Sequence, residues 1–324
     1  MRRGVGCLLA SAVMAAILAG CGAGADHAQR LTLAALATPS PQPPRTLPSA
    51  PGAGCDLTAS LRPAPTLPAP GAMPARSFMA AIQRRGYLRV GVNAAFLHFA
   101  YLNPLDGKIE GFEIDLAQRL ANAIFGNRPN DLVLEALTAA QRIPFVQQAR
   151  VDIIVDAETI TCGRRQQVAF STVYYDAGQR VLVPITSPAR GLQDLGGKRV
   201  CATAGSAPIA VISSYPSHPI ADGAPQAIDC LVKLQQGKVD AISTDDSILL
   251  GFKAQDPYTK LVGQRLADVP YGMAISKSHP DFVRFVNGVL AQMRTDGTWR
   301  AMYHRWLSSF GGATPTPPQP NYSG

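Results

Sequence analysis

Between residues 151 and 175 the chain places the groups needed to hold an anion close together. A short apolar run, Ile153-Ile154-Val155, is flanked by Asp152 and Asp156 and reads as a strand buried on both faces. Thr159 and Thr161 follow, then the doubled arginine Arg164-Arg165 and the aromatic residues Phe170, Tyr174 and Tyr175. Thr161 has the side chain of a helix N-cap. In an open α/β sheet, ligands bind outside the carboxyl ends of the strands. An arginine at such a place grips a carboxylate through two parallel hydrogen bonds. The spacing alone equally fits a surface arginine pair on an ordinary connection.

The elements that must position these groups are legible in the pattern. Leu88, Val90 and Val92 alternate as in a strand, which ends at Asn93 with Phe96 and Phe99 in the loop beyond. Phe112, Leu116, Leu120 and Ile124 recur every four residues, an amphipathic helix closed by Gly126. Glu113 and Asp115 in its first turn read as charges favoured by the helix dipole. A strand at 132–134, a helix from Gln141 and the strand at 151–155 complete a βαβαβ pattern, which predicts a parallel, doubly wound sheet. A strand is expected at 180–184. The βα pattern then restarts, with strands at 198–202, 239–243 and 271–275, helices from Ser206 and Asp229, and closing helices at 281–294 and 298–307.

The chain ends set the compartment. Met1-Arg2-Arg3 and the apolar run to Leu18 form a secretory signal, too short for a membrane span, ending in Leu18-Ala19-Gly20-Cys21. This ending resembles a bacterial lipobox, with Cys21 as the lipid-bearing first residue of the mature protein. Residues 21–75 are rich in Pro, Ala and Thr and are expected to be a tether; residues 311–324 are expected to be a disordered tail. The formal charge of +8 falls by two when Arg2 and Arg3 leave, and without a Lys/Arg block it is no nucleic-acid footprint. Of six cysteines, Cys7 and Cys21 fall in the signal and at the anchor. The remaining four, Cys55, Cys162, Cys201 and Cys230, allow three pairings in an oxidising compartment. Cys201–Cys230 is expected because both lie in one stretch of alternating strands and helices, leaving Cys55–Cys162. Scattered histidines and the lack of C-x-x-C argue against a metal site. No cofactor is expected.

The run 111–124 resembles the signature of bacterial extracellular solute-binding proteins, family 3, which capture polar amino acids for ABC importers. Several other pieces agree in order: Gly91-Val92-Asn93-Ala94-Ala95-Phe96, Arg142-Ile143-Pro144, Thr159-Ile160-Thr161 with Arg164, Phe170-Ser171 with Tyr174-Tyr175, and Gly237-Lys238-Val239-Asp240-Ala241 with Asp245. The lead-in Cys55-Asp56-Leu57-Thr58-Ala59-Ser60-Leu61-Arg62-Pro63 is similar to that of actinobacterial glutamine/glutamate-type binding lipoproteins.

The resemblance implies a two-lobed α/β protein of the type II periplasmic-binding-protein fold, two mixed sheets flanked by helices, with a ligand cleft between. Lobe 1 would be residues 76–177 with 268–310, and lobe 2 residues 178–267, joined by crossings near 176–179 and 267–271. Arg164 would fork the α-carboxylate, helped by the amides of Ser206 and Ala207. Asp245 would pair with the ammonium, with Thr159 and the Ala157 carbonyl as further acceptors; the adjacent Asp246 is the alternative. Phe96 would cover the aliphatic part. Arg142 resembles the arginine of glutamate- and aspartate-binding members and would meet a side-chain carboxylate. Asn93 and Thr203 stand where some glutamine-binding members carry charged residues, which favours acidic ligands, with glutamine or asparagine as alternatives. The expected partners are a free amino acid, ABC permease subunits or a membrane sensor, and the membrane through its lipid anchor. The chain is expected to act as a monomer on the extracytoplasmic face. The rival enzymatic reading needs a general acid or base in the cleft, and among five histidines only His98 lies near a cleft strand end.

Overall fold

The computed structural model describes residues 55–311 and 314–323. The signal, the lipobox with Cys21 and the first part of the expected tether lie outside the described residues.

Two five-stranded sheets organise the chain. The first has the order Leu132–Ala136, Leu88–Val92, Ile153–Ile154, Ala274–Ile275, Ala169–Phe170. Its first three strands are parallel, and Ala274–Ile275 runs against both neighbours. The second has the order Ile220–Ala224, Arg199–Thr203, Ala241–Asp245, Tyr175–Pro184, Thr259–Tyr271. Again three strands are parallel and the last two antiparallel.

The helix Phe112–Phe125 follows from its apolar stripe. Phe112, Leu116, Leu120 and Ile124 are all fully buried against the first sheet's core. Its entry requires glycine. Gly111 has φ 138°, and a Cβ there would meet the Phe99 carbonyl oxygen at 2.3 Å. The helix Phe78–Arg85 is bounded by Ser77, whose hydroxyl accepts from the Ala80 amide at 3.1 Å, and by left-handed Gly86.

The two lobes are joined by long strands. Tyr175–Pro184 and Thr259–Tyr271 pair with each other from Tyr175↔Tyr271 through Ala267↔Gln179, and both continue into the second sheet. The strand expected at 271–275 is found as Ala274–Ile275, while Thr259–Tyr271 is a strand that the sequence pattern does not announce. Its exposed middle, Gly263 to Arg265, interrupts the apolar alternation that would reveal it.

The ends of the described chain differ from expectation. From Cys55 onward the lead-in is fastened to the first lobe. Strand Ala59–Leu61 pairs in parallel with Asn321–Ser323, inside the segment expected to be a disordered tail. Ser60 donates to the Phe170 carbonyl at 2.7 Å, and the Asn287 amide donates to Ser60 Oγ at 2.8 Å and to the Leu61 carbonyl at 2.7 Å. Arg294 Nε donates to the Pro318 carbonyl at 2.8 Å. Cys55 is disulfide-bonded to Cys162, and Cys201 to Cys230, the two pairs expected. Proline-rich composition measures how little apolar area a segment offers, but these segments are held by a covalent staple and by side chains that satisfy their backbone.

Candidate functional site

A small cavity lies between the lobes, at the carboxyl ends of strands from both sheets. From the first lobe it is lined by Arg142, Ala157, Thr159 and Arg164, with Phe96 from the strand Ala95–Phe96. From the second it is lined by Thr203, Ser206, Ala207 and Asp245. Sequence reasoning missed Ala139, Pro208, Thr244 and Ile248 in the wall; small and apolar residues carry no chemical signal. A wider groove beside Phe78 and His279 is lined by the first lobe alone.

Arg164 sits on the short helix Cys162–Gln167, whose N-cap Thr161 accepts from the Arg164 amide at 3.2 Å. Its guanidinium is aimed by its neighbours. Nη1 donates to the Thr159 carbonyl at 2.7 Å, and Nε lies 3.1 Å from Glu158 Oε1 in an ion pair. Nη2 reaches the Gly205 carbonyl of the second lobe at 3.5 Å.

Asp245 ends the strand Ala241–Asp245 on the opposite wall. Its Oδ2 accepts from the Tyr271 hydroxyl at 2.6 Å, while Oδ1 is buried with no hydrogen-bond partner among the described residues. Burial pushes its pKa up to about 6, although the Tyr271 hydrogen bond and the charges of Arg142 and Arg164 pull the other way. Asp246 faces elsewhere, accepting from the Gly178 amide at 3.2 Å and pairing with Arg265 at 3.0 Å. Of the two adjacent acids, only Asp245 lines the cavity.

Arg142 lines the cavity but is already gripped. Nε and Nη2 fork Asp156 at 2.7 and 3.0 Å, and Nη1 donates to Glu158 Oε2 at 2.9 Å. Arg142, Asp156 and Glu158 are all buried. Burial acts to lower the Arg142 pKa, but Asp156 and Glu158 more than reverse this, for a net rise. Burial raises Asp156 to about 8 against the pull of Arg142, with Glu113 and Glu158 adding to the rise. The expected role of Arg142, free to meet a side-chain carboxylate, is therefore corrected: its forked edge is occupied by Asp156.

Two further expectations change. Asn93 is buried but is not part of the cavity lining; its Oδ1 accepts from the Ala95 amide at 2.7 Å and holds the turn into the next strand. The Ser206 amide is engaged by the Thr203 carbonyl at 3.1 Å and its hydroxyl by the same oxygen at 2.7 Å. Ala207 lines the cavity and begins the helix Ala207–Ser214, where a first-turn amide has no intrahelical acceptor. The Thr159 carbonyl accepts from Arg164.

Glu113, read from sequence as a helix-end charge, is fully buried behind the site. Its Oε1 accepts from the Ala157 amide at 2.7 Å and from the Tyr174 hydroxyl. Ala157 has φ 43°, a left-handed conformation costing a non-glycine residue roughly 1–2 kcal/mol. Burial raises the Glu113 pKa. His98 lies outside the cavity lining, edge-on to Phe310 at 5.2 Å and Tyr101 at 6.0 Å.

Comparison with known proteins shows the family and the fold. The family model described as bacterial extracellular solute-binding proteins, family 3, matches residues 88–309. The ABC transporter glutamine-binding protein GlnH of Bacillus subtilis is 33% identical over 237 residues, covering 71% of this chain and 84% of that protein. The glutamate-binding protein GluB of Corynebacterium glutamicum is 28% identical over 236 residues, covering 69% and 79%. Among solved structures, a mutant of the arginine-binding protein of T. maritima superposes with a TM-score of 0.66 at 30% identity, covering 71% of this chain and 99% of that one. An ancestral arginine-binding protein bound to glutamine gives 0.64 at 30% identity, covering 69% and 98%. These neighbours share the type II periplasmic-binding-protein architecture of two mixed sheets flanked by helices.

Proposed function

Because the chain belongs to family 3 of the bacterial extracellular solute-binding proteins, a family of binding proteins rather than enzymes, we propose that it captures a free polar L-amino acid and delivers it to an ABC importer. One observation carries this reading. Arg164 and Asp245 line one cavity from opposite lobes, and Asp245 presents a buried oxygen that no other group among the described residues engages. A buried carboxylate oxygen is costly to leave unpaired, and an ammonium is the partner that removes the cost. Arg164 takes the α-carboxylate together with the Ala207 amide. Phe96 covers the aliphatic stem.

An uncharged polar side chain, as in glutamine or asparagine, suits the remaining wall better than the acidic side chains first expected. Arg142 already faces two carboxylates, so a third meets no net positive charge there. Thr203 and Thr244 add hydroxyls. Closure across the paired strands Tyr175–Pro184 and Thr259–Tyr271 buries the ligand and lowers the dielectric around these contacts.

The test is calorimetric titration of the twenty amino acids into the wild-type protein and into Arg164→Ala. Binding of one polar amino acid, lost in the variant at unchanged melting temperature, is the expected result; no binding, or binding that survives Arg164→Ala, defeats the reading. The reading includes a lipid anchor on Cys21 that holds the protein on the outer face of the membrane. Leu18-Ala19-Gly20-Cys21 supports it. Labelling of the wild type but not of Cys21→Ala by a fatty-acid analogue is the check.

A further inference from the structure

We propose that Asp156, a fully buried residue outside the cavity lining, determines whether the side-chain end of the cavity accepts a carboxylate. The proposal rests on the amino-acid reading above and assigns the residue that sets charge preference within it.

The cavity wall holds two cations, Arg164 and Arg142. Arg164 faces Asp245 and is assigned to the main-chain end of the ligand. Any attraction for a negatively charged side chain therefore falls to Arg142. A guanidinium binds a carboxylate best through two donors on one edge. The Nε–Nη2 edge of Arg142 is already closed by both oxygens of Asp156, at 2.7 and 3.0 Å. Nη1 is taken by Glu158 at 2.9 Å. Glu158 also pairs with Arg164 at 3.1 Å, so two acids already match two bases, with one N–H left on each terminal nitrogen of Arg142.

That residual capacity suits a neutral acceptor. The carbonyl oxygen of a side-chain amide takes one hydrogen bond without adding charge. A side-chain carboxylate would add a further negative charge to a buried cluster whose two positive charges are already matched, where like-charge repulsion is weakly screened. Discrimination of this kind acts by rejecting the competitor, not by gripping the preferred ligand harder. Removing the Asp156 charge reopens the forked edge and leaves Glu158 to balance both Arg142 and Arg164.

Asp156 is a positioning residue, and a bracing role must be separated from charge selection. If it only holds Arg142 in place, its loss weakens amide and acid ligands alike. If it sets the charge, the ratio between them moves. The experiment is calorimetry at pH 8.5 on the wild type, Asp156→Asn and Glu158→Gln, using the pairs glutamine–glutamate and asparagine–aspartate. The expected result is an acid-to-amide affinity ratio at least tenfold higher in Asp156→Asn than in the wild type. Glu158→Gln, expected to move the ratio in the same direction, carries the test if the first variant does not fold. A ratio that stays within twofold in the folded variants overturns the proposal. A wild type that binds no amino acid overturns the reading of the cavity itself, and this proposal with it.

Discussion

Tyr271, on a strand that runs between the lobes, donates its hydroxyl to Asp245 Oδ2 at 2.6 Å while also meeting Ser247 Oγ at 2.9 Å. One oxygen of the acid is thus fixed by the connection between the lobes, and the other has no hydrogen-bond partner among the described residues. Tyr271→Phe should raise the Asp245 pKa further, because the lost hydrogen bond favoured the ionised form. We expect amino-acid affinity at pH 7 to fall by roughly tenfold, a hydrogen bond to a charged group contributing about 1.5–3 kcal/mol. The loss should shrink at pH 8.5, where Asp245 is ionised in both proteins. A variant titrating like the wild type at both pH values would argue against the coupling.

Asp245→Asn should separate affinity from stability. Losing the charge that meets the ammonium is expected to cost about 2–5 kcal/mol of binding. The unliganded protein should melt higher, because an amide removes a buried charge held at a penalty. Calorimetry and thermal melts without ligand read the two effects independently.

The unliganded protein should lose stability as pH rises. Asp245 is raised to about 6 and Asp156 to about 8, both above the carboxylate value of the unfolded chain. A raised acid binds its proton more tightly when folded. Its contribution is complete below the unfolded pKa and disappears as pH climbs through the folded one. Melting temperature is therefore expected to be higher at pH 5 than at pH 8.5, and Asp156→Asn should flatten the upper part of that slope.

Ligand preference should follow the same proton. Asp156 faces Arg142 from the helix Arg142–Gln147, Glu113 from the helix Phe112–Phe125, Glu158 on its own segment and, through its charge, Tyr174. As it takes up a proton below about pH 8, acidic ligands should gain on amides. Asp245 loses its charge lower, near 6, and that weakens both ligand classes equally, so it cancels in the ratio. Competition titrations from pH 6.5 to 8.5 test this; a flat ratio counts against it.

Replacing Cys55 and Cys162 together by serine should release the lead-in. A cross-link of this kind typically contributes about 2–4 kcal/mol. Because Cys162 opens the helix that carries Arg164, affinity should fall along with melting temperature. The double variant of Cys201 and Cys230, far from Arg164 in the chain, should lower melting temperature with less effect on affinity.

What the sequence disclosed was what depends on near neighbours. The four-residue stripe from Phe112 to Ile124 fixed a helix and its buried face, and Thr161 marked the helix that carries Arg164. Asp245 and Arg164 were found through motifs that keep their order along the chain, and the cavity unites them. What escaped notice depends on distant partners. Glu113 looked like a helix-end charge because Ala157 and Tyr174, which engage it, come 44 and 61 residues later. Asp156 looked like the edge of a strand, and nothing in its neighbours announces that it closes the fork of Arg142. Asn93 stood in the right motif, but a local turn to Ala95 claims its oxygen.

The fastening of both chain ends has a mechanical consequence. Cys55 is bonded beside Arg164, and the strand Ala59–Leu61 lies against Asn321–Ser323 on the same lobe. Any pull arriving through the chain ahead of Cys55 is therefore borne by that lobe alone and never stretches across the hinge. A load that enters at Cys55 would thus leave the opposite lobe unburdened.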